Sequence, residues 1–143
     1  MYKFRFILVP LMALVLCQII KFIIESIINK KLMFERLFNG SGGMPSTHAT
    51  FSVSLTTLIG YECDITSPIF AMCLIFTLIV LYDAIGVRYE TGLQATVLND
   101  IANKLDKKKH LDLKEKIGHK PLEVFCGVIL GFLISTIFVL ITL

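Results

Sequence analysis

Charge is what this chain has least of. Of its 143 residues, 17% are Asp, Glu, Lys or Arg, whereas 55% are hydrophobic and the mean hydropathy is +0.78. A soluble domain of this length needs more charge to cover its surface, so the composition excludes one and leaves the membrane class. Tryptophan is absent. The four cysteines, Cys17, Cys63, Cys73 and Cys126, lack the spacing of a metal or redox motif. Three of them lie in apolar runs, where buried thiols are expected. The N-terminal apolar run lacks the small-x-small cleavage site of a signal peptide, and Leu16 before Cys17 argues against a lipoprotein site.

Basic residues are missing from most of the chain. Only Lys3 and Arg5 precede the first apolar run, none follows Lys120, and seven of the fourteen lie between Lys104 and Lys120. Four apolar segments are present, at about 4–28, 45–61, 67–87 and 121–143, near the roughly 20 residues that cross a bilayer. Backbone groups in lipid must be satisfied internally, so each is expected to be helical. The expected fold is an all-α integral membrane protein of about four transmembrane helices in one domain, residues 1–143. In the 88–120 connection, Leu93, Val97, Leu98, Ile101 and Leu105 recur at helical spacing, which predicts an amphipathic helix at the interface. Lys and Arg gather on the side of the 29–44 and 88–120 connections. The positive-inside rule therefore puts these loops in the cytoplasm and both termini outside.

Four clusters carry chemistry. The first is "NGSGGMPSTHATFS", residues 39–52. Its glycines, Gly43 among them, permit unusual backbone angles and close approach to a ligand. Pro45 suits a first helical turn, whose free N–H groups attract anions. Ser46, Thr50, Ser54 and Thr57 then form a polar stripe expected to face protein rather than lipid. The second is "GHKPLEV": His119 and Glu123 share a helix face, and a carboxylate on one ring nitrogen leaves the other free as nucleophile or base. The third is "YDAIGVR", where Asp83 at a span end has Arg88 as its nearest cation in sequence. The fourth is Lys21, deep in the first run, which either pairs with Glu25 one turn on or faces an anion. Each has a bland alternative: a capped helix, a surface pair, an ion lock, a local salt bridge. Together they put two histidines, a carboxylate, cations and a glycine-rich helix start on one side of the membrane, a set suited to phosphoryl transfer through histidine.

The ordered set "GGMPSTH", "YDAIGVR", "LND" and "GHKPLEV" resembles the divergent branch of the type-2 phosphatidic acid phosphatase superfamily, also called acid phosphatase/vanadium-dependent haloperoxidase-related membrane proteins. The resemblance runs from about Gln18 to Gly131. It implies that Pro45, Ser46 and His48 match the superfamily's second motif, that His119 is the nucleophile giving a phosphohistidine, and that Glu123 stands where an Asp orients it. It also implies that His48 protonates the leaving oxygen and later activates water, with no metal or cofactor. Thr47 replaces the motif's glycine and no Ser-Arg precedes His119. Lys21, Arg36, Lys114 and Arg88 are the cations available to hold phosphate, with Gly43, Ser46 and Asp83 around them.

The resulting expectation is a lipid phosphate or diphosphate phosphatase at the membrane interface. The alternative is a non-catalytic scaffold or anionic-lipid-binding protein that keeps the fold. A third reading takes His48, His119 and Glu123 as zinc ligands. The expected partners are the bilayer and an anionic or phosphorylated lipid, with no nucleic acid; a four-span bundle is thin enough to invite a homodimer.

Overall fold

The computed structural model describes residues 4–32, 34, 42–105, 113–115 and 117–142. The protein is an all-α integral membrane protein. Its helices are α1 (Arg5–Asn29), α2 (Thr47–Cys63), α3 (Pro68–Ile85), α4 (Val87–Leu105) and α5 (Pro121–Thr142). Among the described residues, three stretches are long and apolar enough to cross a membrane: α1, α3 running on into α4, and α5. Their outward faces expose Ile7, Ile27, Phe76, Leu133 and Leu140, as lipid-facing helices do.

Local chemistry sets the helix ends. Ser46 caps α2, its hydroxyl accepting from the Ala49 N–H. Pro45 therefore stands just before the cap, two positions ahead of the first helical residue, Thr47, and outside the first turn expected for it. Ser67 caps α3, accepting from Phe70 N–H, with Pro68 in the first turn. Gly86 ends α3, its N–H reaching Tyr82 C=O at 2.8 Å, and α4 starts at the next residue. Pro121 opens α5.

The short, hydroxyl-rich α2 is the centre of the bundle and packs on α1, α3 and α5. Its 17 residues span about 25 Å, less than a hydrocarbon core of about 30 Å. Enclosure by its neighbours resolves the mismatch, because Ser46, Thr50 and Ser54 are fully buried. They meet Gly127, Gly131 and Ser135 of α5, spaced four apart. Thr50 donates to Gly127 C=O at 3.1 Å, and the Ser54 and Ser135 hydroxyls lie 2.7 Å apart. Small residues let the two backbones meet where apolar burial gives no drive toward association in lipid. A Cβ on Gly131 would stand 2.5 Å from Thr50 C=O, and one on Gly127 2.6 Å from Ser46 C=O. Thr56 and Thr77 join α2 to α3 at 2.9 Å. At the far end, Val9, Leu58 and Val139 form an apolar cluster and Arg5 pairs with Glu62.

The amphipathic α4 buries Gly92, Ala95 and Asn99 and exposes Leu93, Val97, Leu98, Ile101 and Leu105. Its inner face holds the segment that leads to His119. Asn99 donates to Leu113 C=O at 3.0 Å and to Glu115 at 2.9 Å, and accepts from Leu113 N–H at 3.1 Å. A side chain on Gly92 would strike Glu115 C=O.

Candidate functional site

His119 sits on the short segment between that clamp and α5. Its backbone N–H donates to Ala84 C=O at 3.2 Å, near the end of α3. Glu123, in the first turn of α5, sets the ring: its Oε2 lies 3.2 Å from His119 Nδ1 and accepts from Lys120 N–H at 3.1 Å. A carboxylate there selects the tautomer with the proton on Nδ1 and leaves a lone pair on Nε2. The ring is 1% exposed. Burial lowers its pKa below the ordinary 6.5, while the bond to Glu123 and a backbone acceptor at Gly43 oppose the shift. The net shift favours the neutral imidazole.

His48 reaches the same place from the first turn of α2 and is exposed. The two imidazoles stand edge to face, 6.4 Å between centroids with planes at 64°. That distance makes the two rings neighbours at one end of the bundle. The start of α2 is tied to that of α5, since Ser46 N–H donates to Glu123 C=O at 2.9 Å. The hydrogen bond of one helix start to the other fixes both histidines in one frame.

Lys21 is fully buried on α1 and donates to Gly42 C=O at 2.9 Å and Thr47 Oγ1 at 3.2 Å. It thus pins the glycine loop against the start of α2. Gly42 and Gly43 have φ of +69° and +81°, and a Cβ on Gly43 would collide with Glu25 Oε1. The positive φ values favour glycine at both positions, whereas the Glu25 carboxylate, at the end of a flexible side chain, could swing aside. Asp83 binds Arg88 Nε. Lys21, Arg88 and Asp83 are all close enough to act electrostatically on His48.

The structure thus gathers His48, His119, Glu123, Lys21, Gly43, Ser46, Asp83 and Arg88 at one end of the bundle. Lys114 is exposed on the stretch that Asn99 holds, and Arg36 lies outside the described residues. Sequence reasoning assigned no role to Asn99, Thr47, Gly127 or Gly131. "LND" and the four-residue spacing of small residues in "GVILGFLIS" were the available signals. Among the described residues, no three His, Cys, Asp or Glu side chains form a metal-ligand group.

Comparison with known proteins gives the family. A family model described as "Divergent PAP2 family" matches residues 3–134. The "Uncharacterized membrane protein YuiD" of Bacillus subtilis (strain 168) is 36% identical over 141 residues, covering 89% of each chain. No solved structure matches. With nearly the whole length matched and the motif residues converging at one bundle end, the chain belongs to the Divergent PAP2 family.

Proposed function

We propose that the protein is a lipid phosphate or diphosphate phosphatase acting through a phosphohistidine at the membrane interface. The observation that carries this is the pair of imidazoles 6.4 Å apart, with Glu123 on Nδ1 of the buried one. In the first step the His119 Nε2 lone pair attacks phosphorus. The P–N bond forms, the bond to the lipid oxygen breaks, and that oxygen takes a proton from His48. In the second step His48 takes a proton from water, whose oxygen attacks phosphorus and releases orthophosphate and neutral His119. Lys21, Arg88 and the N–H groups at the start of α2 stabilise the phosphoryl charge. Ser46 and Gly43 shape that anion site, with Asp83 holding Arg88; Arg36 and Lys114 are the further cations assigned to substrate.

The basic residues on the long connections support an orientation with the site facing the cytoplasm and both termini outside. Single cysteines placed at positions 107–109 should resist impermeant thiol reagents in intact cells; outside labelling would reverse the orientation.

A second reading, a non-catalytic anionic-lipid-binding protein, draws on the burial of His119 and the engagement of Arg88 by Asp83. Phosphate release measured in detergent across a panel of lipid phosphates, with and without chelator, separates the two. The phosphatase reading expects chelator-resistant release that His48→Ala and His119→Ala abolish. Headgroup binding without turnover, lost in Arg88→Ala, supports the second.

A further inference from the structure

α3 and α4 run on as one stretch of 38 residues, Pro68–Leu105. As helix that is about 57 Å, almost twice a hydrocarbon core of about 30 Å. The 18 residues of α3, about 27 Å long, fill the core alone. α4 therefore starts at the membrane surface, and Arg88, Glu90, Asp100 and Lys104 oppose its entry into hydrocarbon.

The two faces of α4 differ. Arg88, Gly92, Ala95 and Asn99 fall on one face by their spacing, and the last three are buried. Leu93, Val97, Ile101 and Leu105 recur every four residues on the opposite side, and all are exposed. Among the described residues, α4 packs on no helix but α3. Its inner face rests instead on the chain that leads to His119. Asn99 bonds both backbone groups of Leu113 and the Glu115 carboxylate. A Cβ on Gly92 would stand 2.4 Å from Glu115 C=O, and one on Gly118 2.3 Å from Tyr89 Cα. The next residue is His119. One helix thus carries Arg88 and steadies the approach to His119.

Charge indicates what covers the outer face. Seven of the fourteen Lys and Arg lie between Lys104 and Lys120, against Asp106, Asp112 and Glu115. An apolar stripe with a surplus of lysines beside it suits an anionic bilayer surface. A second copy on the same face would set its own lysines against these, so like charges oppose a dimer there.

We propose that α4 seats its outer face on an anionic bilayer surface, and that Asn99 is a positioning residue that carries this seating to His119. With α4 seated, Leu113, Glu115 and Gly118 stay on its inner face and the His119 ring stays buried; unseating releases the ring. For the phosphatase proposed above, and resting on that reading, kcat then rises with the anionic lipid content of the membrane. The seating itself does not depend on turnover.

The chain has no tryptophan, so a single introduced one reports alone. Val97→Trp places it on the apolar face and Asn103→Trp at an exposed polar position. Each protein is reconstituted in vesicles of chain-brominated phosphatidylcholine, with or without phosphatidylglycerol. Quenching should be several-fold stronger at 97 than at 103 and should increase with phosphatidylglycerol. Equal quenching at the two positions would overturn the seating. Quenching indifferent to phosphatidylglycerol would overturn the anionic surface as partner. A signal at 97 that disappears when the protein is diluted in lipid would assign the face to a second chain and overturn the proposal.

The coupling is read from the rate at which diethyl pyrocarbonate modifies His119, mapped by mass spectrometry, with the exposed His48 as reference. Phosphatidylglycerol should slow modification of His119 relative to His48 by about fivefold or more, the lower end of coupling between two sites. Asn99→Ala should abolish this lipid dependence while a tryptophan at 97 stays seated, and Asn99→Gln should recover part of it. Lipid dependence that survives Asn99→Ala would overturn the positioning role. Ile101→Asp leaves the Asn99 bonds in place, and should unseat α4 and speed modification of His119; an unchanged rate would overturn the coupling. Seating and lipid-dependent protection with no phosphate release from any lipid would overturn the phosphatase and keep this inference. Phosphate release and His119 protection both indifferent to phosphatidylglycerol would do the reverse.

Discussion

Glu123 Oε2 lies 3.2 Å from His119 Nδ1 and also accepts the Lys120 N–H at 3.1 Å, so one carboxylate orients the imidazole and caps the first turn of α5. An amide in its place can donate to Nδ1, which moves the ring proton to Nε2 and removes the nucleophilic lone pair. Glu123→Gln should therefore lower kcat by roughly 10²- to 10⁴-fold with little change in KM, as expected when a histidine is held in the wrong tautomer. Glu123→Asp should recover part of the loss. Steady-state kinetics on a lipid phosphate checks both.

The pH dependence has a definite sign. Burial depresses the pKa of His119 below 6.5, so the folded protein holds it neutral at and above that pH. The acid limb of kcat/KM assigned to His119 should lie below pH 6.5. Stability follows the same group. It is fully present above the unfolded pKa of about 6.5 and is lost as pH falls through the lower folded value, because the unfolded chain binds the proton more readily. Thermal melts of the natural protein and His119→Gln between pH 5 and 8 should diverge only toward the acid side.

Lys21 is fully buried and bonds Gly42 C=O and Thr47 Oγ1. Lys21→Met keeps the stem and removes the charge. On the proposed phosphate role, loss of the Lys21 charge should raise KM about tenfold or more, while the two abandoned acceptors cost about 1–3 kcal/mol each if left dry. A change in melting temperature alone, with KM untouched, would make Lys21 purely structural.

Gly127 and Gly131 mark the closest approach of α5 to α2. Alanine raises helix propensity by about 1 kcal/mol, but overpacking costs about 1–3 kcal/mol. The clash should win at Gly131, whose added Cβ meets a backbone carbonyl rather than a movable side chain. Gly131→Ala should lower the melting temperature in detergent; Gly127→Ala should also disturb Ser46 and reduce kcat.

The helices were legible because lipid permits few alternatives: long apolar runs must form them, and Ser67, Pro68 and Pro121 mark their starts in the sequence. The polar stripe was legible in large part: Ser46, Thr50 and Ser54 are fully buried, whereas Thr57, its fourth member, is half-buried. What they meet was not. Glycines at 127 and 131 within an apolar run look like any transmembrane segment until the partner helix is known. The site residues could be named by type and spacing, but their convergence depends on the clamp of Asn99 and on backbone bonds such as His119 N–H to Ala84 C=O. Such bonds join residues distant in the chain through groups that every residue carries, so they leave no mark in sequence.

The proposed mechanism requires a covalent phosphoryl group on His119. Rapid alkaline quench of the protein turning over a lipid labelled in its phosphate tests it most directly. The account predicts a base-stable, acid-labile label on the peptide containing His119, absent from His119→Ala, which also loses at least about 10³-fold in phosphate release. Turnover by the natural protein with no histidine label, or equal release by His119→Ala, would contradict it.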